Sequence, residues 1–140
     1  MIDVKSYGII PLKKLKGEWQ VLLIQHIEGH WGFPKGRPEQ GESCLETAYR
    51  ELNEETALFV DRLLSTEPLI EQYNFKKDGL RYNKSVYYYL AIVVGNVSLL
   101  EEEVRASEWV CLSRLQEKLS FCDIKKMAAN IDSTINKITI

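Results

Sequence analysis

Residues 36–58 read Gly-Arg-Pro-Glu-Gln-Gly-Glu-Ser-Cys-Leu-Glu-Thr-Ala-Tyr-Arg-Glu-Leu-Asn-Glu-Glu-Thr-Ala-Leu. A helix starts inside this stretch, because Ser43 and Glu46 form an S-x-x-E capping box with Ser43 as N-cap. Leu45, Ala48, Tyr49 and Leu52 then recur at i, i+3, i+4 and i+7, which makes an apolar stripe for a core. Glu51, Glu54 and Glu55 stand at i, i+3 and i+4, so they share one face of the helix. The spacing sets that acidic face about 100° or more around the helix from the stripe. Three like charges so close repel and weaken a bare helix. A hard divalent cation offsets the repulsion, and oxygen-only ligands suit magnesium or manganese. Magnesium binds through a few carboxylates together with substrate phosphates, so the helix reads as a metal platform for phosphate chemistry.

The spacing resembles the signature of the Nudix hydrolases: Gly, five residues, Glu, seven residues, then Arg-Glu-aliphatic-x-Glu-Glu-x-Gly-aliphatic. Gly36, Glu42, Arg50, Glu51, Leu52, Glu54, Glu55 and Leu58 occupy matching positions. Ala57 departs, standing where the signature has a Gly that ends the helix with φ > 0. Ala there costs roughly 1 kcal/mol of local strain and removes no functional group. Upstream, His30-Trp31-Gly32-Phe33-Pro34-Lys35-Gly36 resembles the approach to this motif in the asymmetrical dinucleoside tetraphosphatases, which cleave diadenosine tetraphosphate to ATP and AMP. The order of later landmarks extends the resemblance over most of the chain. Lys84 precedes the strand Val86–Ala91, Glu103 lies six residues before Trp109, and Phe121 sits in a late loop.

The resemblance implies roles for particular residues. Glu51, Glu54 and Glu55 are metal ligands, and Glu103 is a further ligand or the general base. Glu54, Glu103 and Arg50 form the catalytic set, Arg50 bracing the loop and the glutamates. Gly36 and Glu42 shape the motif, Glu42 orienting its loop. His30, Lys35 and Lys84 meet phosphates. Phe121 stacks an adenine, and Tyr73, Phe75 or Tyr82 is a candidate for the other side of that clamp, since aromatic stacking contributes roughly 1–3 kcal/mol per base. The implied cofactor is Mg2+, with Mn2+ as substitute.

Composition sets the outer bounds. At 140 residues the chain reads as a single domain, 1–140, and 45% hydrophobic with 27% charged residues is ordinary for a globular protein. A net charge of −2 gives no broad basic field, so a stable nucleic-acid partner is not expected. No apolar run is long enough to span a membrane, and Met1-Ile2-Asp3-Val4-Lys5 does not resemble a signal peptide. Cys44, Cys111 and Cys122 are odd in number and lack C-x-x-C spacing, as expected of reduced packing thiols in the cytoplasm. With His26 and His30 the only histidines, a histidine-rich zinc site is poorly supported. The expected protein is a cytoplasmic monomer acting on a small dinucleoside polyphosphate.

Elsewhere, Ser6–Leu12 and Val21–Gln25 read as strands around a turn at Lys16-Gly17-Glu18. Gly29–Pro38 reads as a loop. Phe59–Tyr73 holds strands interrupted at Pro68, and the polar stretch Asn74–Asn83 turns at Lys76-Lys77-Asp78-Gly79. Val86–Val94 is a central strand by composition, with Tyr87 and Tyr89 on one face and Tyr88 on the other. Leu99–Ala106 reads as an acidic loop, Glu108–Leu112 as a short strand and Ser113–Lys118 as the start of a helical stretch. Ile124, Met127, Ala128 and Ile131 mark a C-terminal helix. The fold class is α+β, and the resemblance implies the Nudix fold, a mixed curved sheet sandwiched between helices. Removal of pyrophosphate from RNA 5′ ends or from nucleoside triphosphates is an alternative activity. A nucleotide-holding sensor without catalysis is the alternative outside enzymes.

Overall fold

The computed structural model describes residues 1–119 and 122–138. One mixed eight-stranded sheet carries the architecture. Its strands are β1 (Ile2–Leu15), β2 (Glu18–His26), β3 (Trp31–Gly32), β4 (Lys35–Gly36), β5 (Phe59–Leu63), β6 (Leu69–Lys77), β7 (Leu80–Val94) and β8 (Val104–Cys111). The helices are α1 (Cys44–Thr56), the short α2 (Leu115–Lys118) and α3 (Cys122–Ile138). The central order is β3-β2-β1-β7-β5, with β4 on β1, β6 on β7 and β8 on β2. The β1–β7 pairing is parallel and the other pairs are antiparallel.

Period-2 alternation sorts the apolar runs into two layers. Ile9, Leu22, Tyr89, Ala91 and Val93 cluster with Ala48 and Leu52 of α1. Ile10, Leu12, Val21, Leu23, Val86, Tyr88 and Leu90 cluster with Leu115, Met127, Ile131 and Ile135 on the opposite side. The runs Val21–Ile24 and Val86–Ala91 are apolar at nearly every position because both faces of these strands are covered. Tyr88 therefore enters the α3 layer and Tyr89 the α1 layer, the alternation the sequence requires. Truncating Leu52, fully buried, to Ala would cost about 2–5 kcal/mol.

Both long hairpins close on two residues with positive φ. These are Lys16 (52°) and Gly17 (82°), then Asp78 (53°) and Gly79 (77°). This is the I′ geometry whose twist matches the strands it joins. The polar stretch 74–83 turns where expected, at Asp78-Gly79. It forms the arms of the β6–β7 hairpin, and Lys84 lies within β7 rather than before it. Two short strands, β3 and β4, run inside the expected 29–38 loop, and the strand expected at 108 begins at Val104. Cys44 is exposed rather than a packing thiol. No helix among the described residues is long and apolar enough to cross a membrane.

Candidate active site

Helix α1 starts as its capping box dictates. Ser43 Oγ accepts from Glu46 N–H at 3.1 Å, and Glu46 Oε1 accepts from Ser43 N–H at 3.0 Å. It ends at Ala57 with φ 66° and ψ 6°, the left-handed conformation expected of the missing Gly, and Ala57 N–H donates to Asn53 O at 2.8 Å.

The buried face of α1 differs from the expected stripe. Tyr49 is 37% exposed, whereas Thr47, Ala48, Leu52, Glu55 and Thr56 are buried. Glu55 is i+7 from Ala48, about 20° away around the helix, so it lies within the buried arc and not on a separate acidic flank. At 2% exposure its carboxylate is inside the protein. Its Oε2 accepts the backbone N–H of Lys35 at 3.0 Å, and its carboxyl shares a hydrogen bond with Glu51. Burial, then the neighbouring Glu51 and the charge of Glu103, push Glu55 up to about 9. Burial likewise raises Glu51.

Arg50 organises the remaining carboxylates. Its Nε and Nη2 donate to Glu42 Oε2 and Oε1 at 2.6 and 3.0 Å, a bidentate pair. Its Nη1 reaches Glu51 Oε1 at 3.0 Å and Glu54 Oε2 at 3.1 Å, and Nη2 also meets Arg37 O at 3.0 Å. Glu42 Oε1 further accepts from Glu39 N–H and Thr47 Oγ1, both at 2.9 Å. The Arg50 guanidinium holds the Glu42 carboxyl down to about 2.

Gly36 leaves room for the Glu51 carboxylate, and Gly8 leaves room for the Pro34 backbone. A Cβ on Gly36 would lie 2.2 Å from Glu51 Cδ, and one on Gly8 would lie 2.3 Å from Pro34 O. These glycines let β1, β4 and α1 close together, which brings Lys35 N–H to Glu55. Gly8 stands alone inside an apolar strand, the signal of a close backbone approach, but its partner Pro34 is distant in sequence and only the fold identifies it.

Opposite the helix, His26, His30, Gly32, Phe33, Lys35, Glu71, Tyr73 and Tyr88 line a small cleft of about 20 Å³. Three expected substrate-binding residues, His30, Lys35 and Tyr73, thus converge, with Lys84 opposite Tyr73 across the strands. Burial, then Lys35 and Arg37, lower Lys84 to about 8. The rings of His26 and His30 stack at 4.4 Å, and burial lowers His26 to about 4. Tyr82 lies outside this cleft, stacked on Phe75 at 4.9 Å further along the hairpin. Phe121 falls outside the described residues. His26 and the buried Glu71 line the cleft without matching any motif position; only the i, i+4 spacing of His26 to His30 marks the former. A larger hollow of about 470 Å³ between Trp19, Cys111 and α3 contains none of the candidate residues.

Glu103 is brought toward Glu55 by the C-terminal end of α1. Glu55 O accepts Leu100 N–H at 3.2 Å and Thr56 O accepts Ser98 N–H at 2.9 Å, which docks the segment leading to Glu103. Glu103 itself is exposed. Among the described residues no three His, Cys, Asp or Glu side chains converge on one point, since Arg50 draws Glu51 and Glu54 toward itself. The donor set nonetheless suits a hard divalent cation. It is all oxygen, and a carboxyl as buried as Glu55 ionises readily only beside positive charge.

The NUDIX domain family matches residues 4–130. The asymmetrical bis(5'-nucleosyl)-tetraphosphatase of Mus musculus is 34% identical over 116 residues, 80% of this chain and 76% of that protein. A relative carrying the name MutT4, from Mycobacterium tuberculosis (strain CDC 1551 / Oshkosh), is 34% identical over 110 residues, 77% of this chain, which spans 43% of that relative's length. The fold is similar to a C. elegans Ap4A hydrolase crystallised as a binary complex, with TM-score 0.74 and 21% identity over 96% of this chain and 98% of that one. With the motif, the sheet sandwiched between helices and these likenesses in agreement, the chain belongs to the Nudix hydrolase family.

Proposed function

We propose that this chain is a magnesium-dependent hydrolase of dinucleoside polyphosphates, acting on diadenosine tetraphosphate to give ATP and AMP. The observation that carries this reading is the Lys35–Glu55 junction. The short strand β4 donates its Lys35 N–H to the buried Glu55 carboxylate of α1, and Lys35 also lines the aromatic cleft with His30 and Tyr73. The Mus musculus relative, named for such a tetraphosphatase, supports the substrate class.

Glu51, Glu54, Glu55 and Glu103 would hold the metal, which when bound neutralises phosphate charge and lowers the pKa of a coordinated water. Lys35, Lys84 and His30 bind the polyphosphate, the lysines as mobile point charges. Tyr73 offers its ring to one base at the cleft, and Phe75 with Tyr82 extends that aromatic surface along the hairpin. Glu54 and Glu103 are the exposed carboxylates of the set, and one of them takes the proton of the attacking water. Arg50 holds Glu51 and Glu54 through Nη1 and acts as a positioning residue.

Product analysis tests the proposal. Purified protein is incubated with diadenosine tetraphosphate and magnesium, with EDTA in a parallel sample. Metal-dependent ATP plus AMP is the expected result. Two ADP would overturn the asymmetric cleavage, and no reaction would overturn the substrate. Triphosphorylated RNA and nucleoside triphosphates in the same panel then decide between the remaining pyrophosphohydrolase activities.

A further inference from the structure

The turn bearing Glu103 and the loop bearing His30 are fastened to each other through Ile27. Ile27 N–H donates to Glu103 O at 3.0 Å, and Ile27 O accepts Arg105 Nη2 at 2.6 Å. The 103–105 segment therefore grips both polar groups of one peptide-bearing residue. The same turn is tied to the catalytic helix, since Leu100 O accepts Glu103 N–H at 3.0 Å and Val104 N–H at 2.8 Å while Leu100 N–H donates to Glu55 O.

The local backbone explains why a side chain is needed here. The β2–β8 ladder shifts register between Gln25 and His26, leaving His26 opposite Val104. A bulge of this kind removes regular ladder bonds where the strands separate. Packing does not replace them, because the Ile27 side chain is 47% exposed. The 26–30 loop is closed on itself by His26 N–H to His30 O at 2.9 Å and Gly29 N–H to His26 O at 2.8 Å. Gln25 Nε2 adds a bond to Gly29 O at 3.0 Å, so the loop is a closed unit and Ile27 is where it meets the Glu103 turn.

We propose that Arg105 is a positioning residue, its guanidinium clamping the Ile27 carbonyl so that Glu103 stays in place against the loop of His30 and the end of α1. This inference rests on the functional reading above, in which Glu103 serves the metal and His30 the phosphates. Arg suits the task because it stays charged at all working pH values and its planar fork loses little freedom per hydrogen bond formed.

Four variants of the full chain test it: Arg105→Met, Arg105→Lys, Glu103→Gln and the double Arg105→Met with Glu103→Gln. Hydrogen exchange at the Ile27 amide is measured without metal, and the magnesium dependence of turnover is measured separately. Arg105→Met is expected to speed Ile27 exchange and to raise the magnesium needed for half-maximal rate about 10- to 100-fold, the scale for losing a group that orients a ligand. Arg105→Lys, which still donates, restores most of both. In the Glu103→Gln background, Arg105→Met should have no further effect on magnesium dependence. Unchanged Ile27 exchange in Arg105→Met overturns the clamp, and an equal loss in both backgrounds overturns action through Glu103. A Glu103→Gln variant with normal magnesium dependence overturns the role of Glu103 itself, while Ile27 exchange still reports separately on the clamp.

Discussion

The backbone N–H of Lys35 donates to Glu55 Oε2 at 3.0 Å, joining two residues twenty apart in sequence at the centre of the site. This bond places a buried carboxylate directly behind Lys35, which lines the aromatic cleft. It also partly stabilises the charge that burial penalises at Glu55.

Replacing that carboxylate separates chemistry from stability. Glu55→Gln is expected to lower turnover at least about 100-fold, the scale of losing one charge-stabilising group. The fold should survive, since Gln keeps the shape of the protonated acid. Initial rates at saturating magnesium and a thermal melt check the two halves.

The melts should also depend on pH in a defined direction. The native pKa of Glu55, about 9, lies above its ordinary value of 4.5. Through that window the native state keeps a proton that the unfolded chain has released. Its contribution to stability is full below about 4.5 and is lost as pH rises toward 9. Metal-free Tm should accordingly fall from pH 5 to 9, less steeply in Glu55→Gln than in the parent. Identical slopes would show that Glu55 is ionised in the native protein.

Lys84 gives the cleft its own pH dependence. Lowered from 10.5 to about 8, it loses charge as pH passes through 8. Affinity for a non-hydrolysable dinucleoside polyphosphate should therefore decline between pH 7 and 9, and binding near pH 8 should take up protons. Calorimetry in two buffers of different ionisation enthalpy measures that uptake. Lys84→Met should remove it and weaken binding about tenfold or more, the scale of one charge-assisted hydrogen bond.

Gly36→Ala tests the close approach of strand and helix. Its Cβ would fall 2.2 Å from Glu51, which Arg50 already holds at 3.0 Å, so Glu51 must move. Magnesium affinity is expected to fall about 10- to 100-fold. A Mn2+ titration followed by electron paramagnetic resonance reads this without turnover.

Ala57→Gly runs the other way. Ala57 sits at φ 66°, so Gly relieves roughly 1 kcal/mol of strain. Calorimetry should show a Tm increase of roughly 2–4 °C with unchanged activity.

Much of this protein is written locally. The capping box, the glutamate spacing, the Lys16-Gly17 and Asp78-Gly79 turns and the alternation at Tyr88 and Tyr89 are short-range chemistry, and short-range chemistry is readable from residue types. Spacing alone also placed Glu51, Glu54 and Glu55 on one helix. What only the tertiary structure decided is how deep each group lies and what it faces. Glu55 is sealed at 2% exposure beside the Lys35 backbone, which Gly8 lets β1 approach closely. Lys84 shares the edge of a cleft with Tyr73 because β6 and β7 pair in one register, and Arg105 reaches Ile27 across 78 positions because a bulge opens beside it. Burial, register and close backbone approach arise from segments distant in sequence, so no local pattern encodes them.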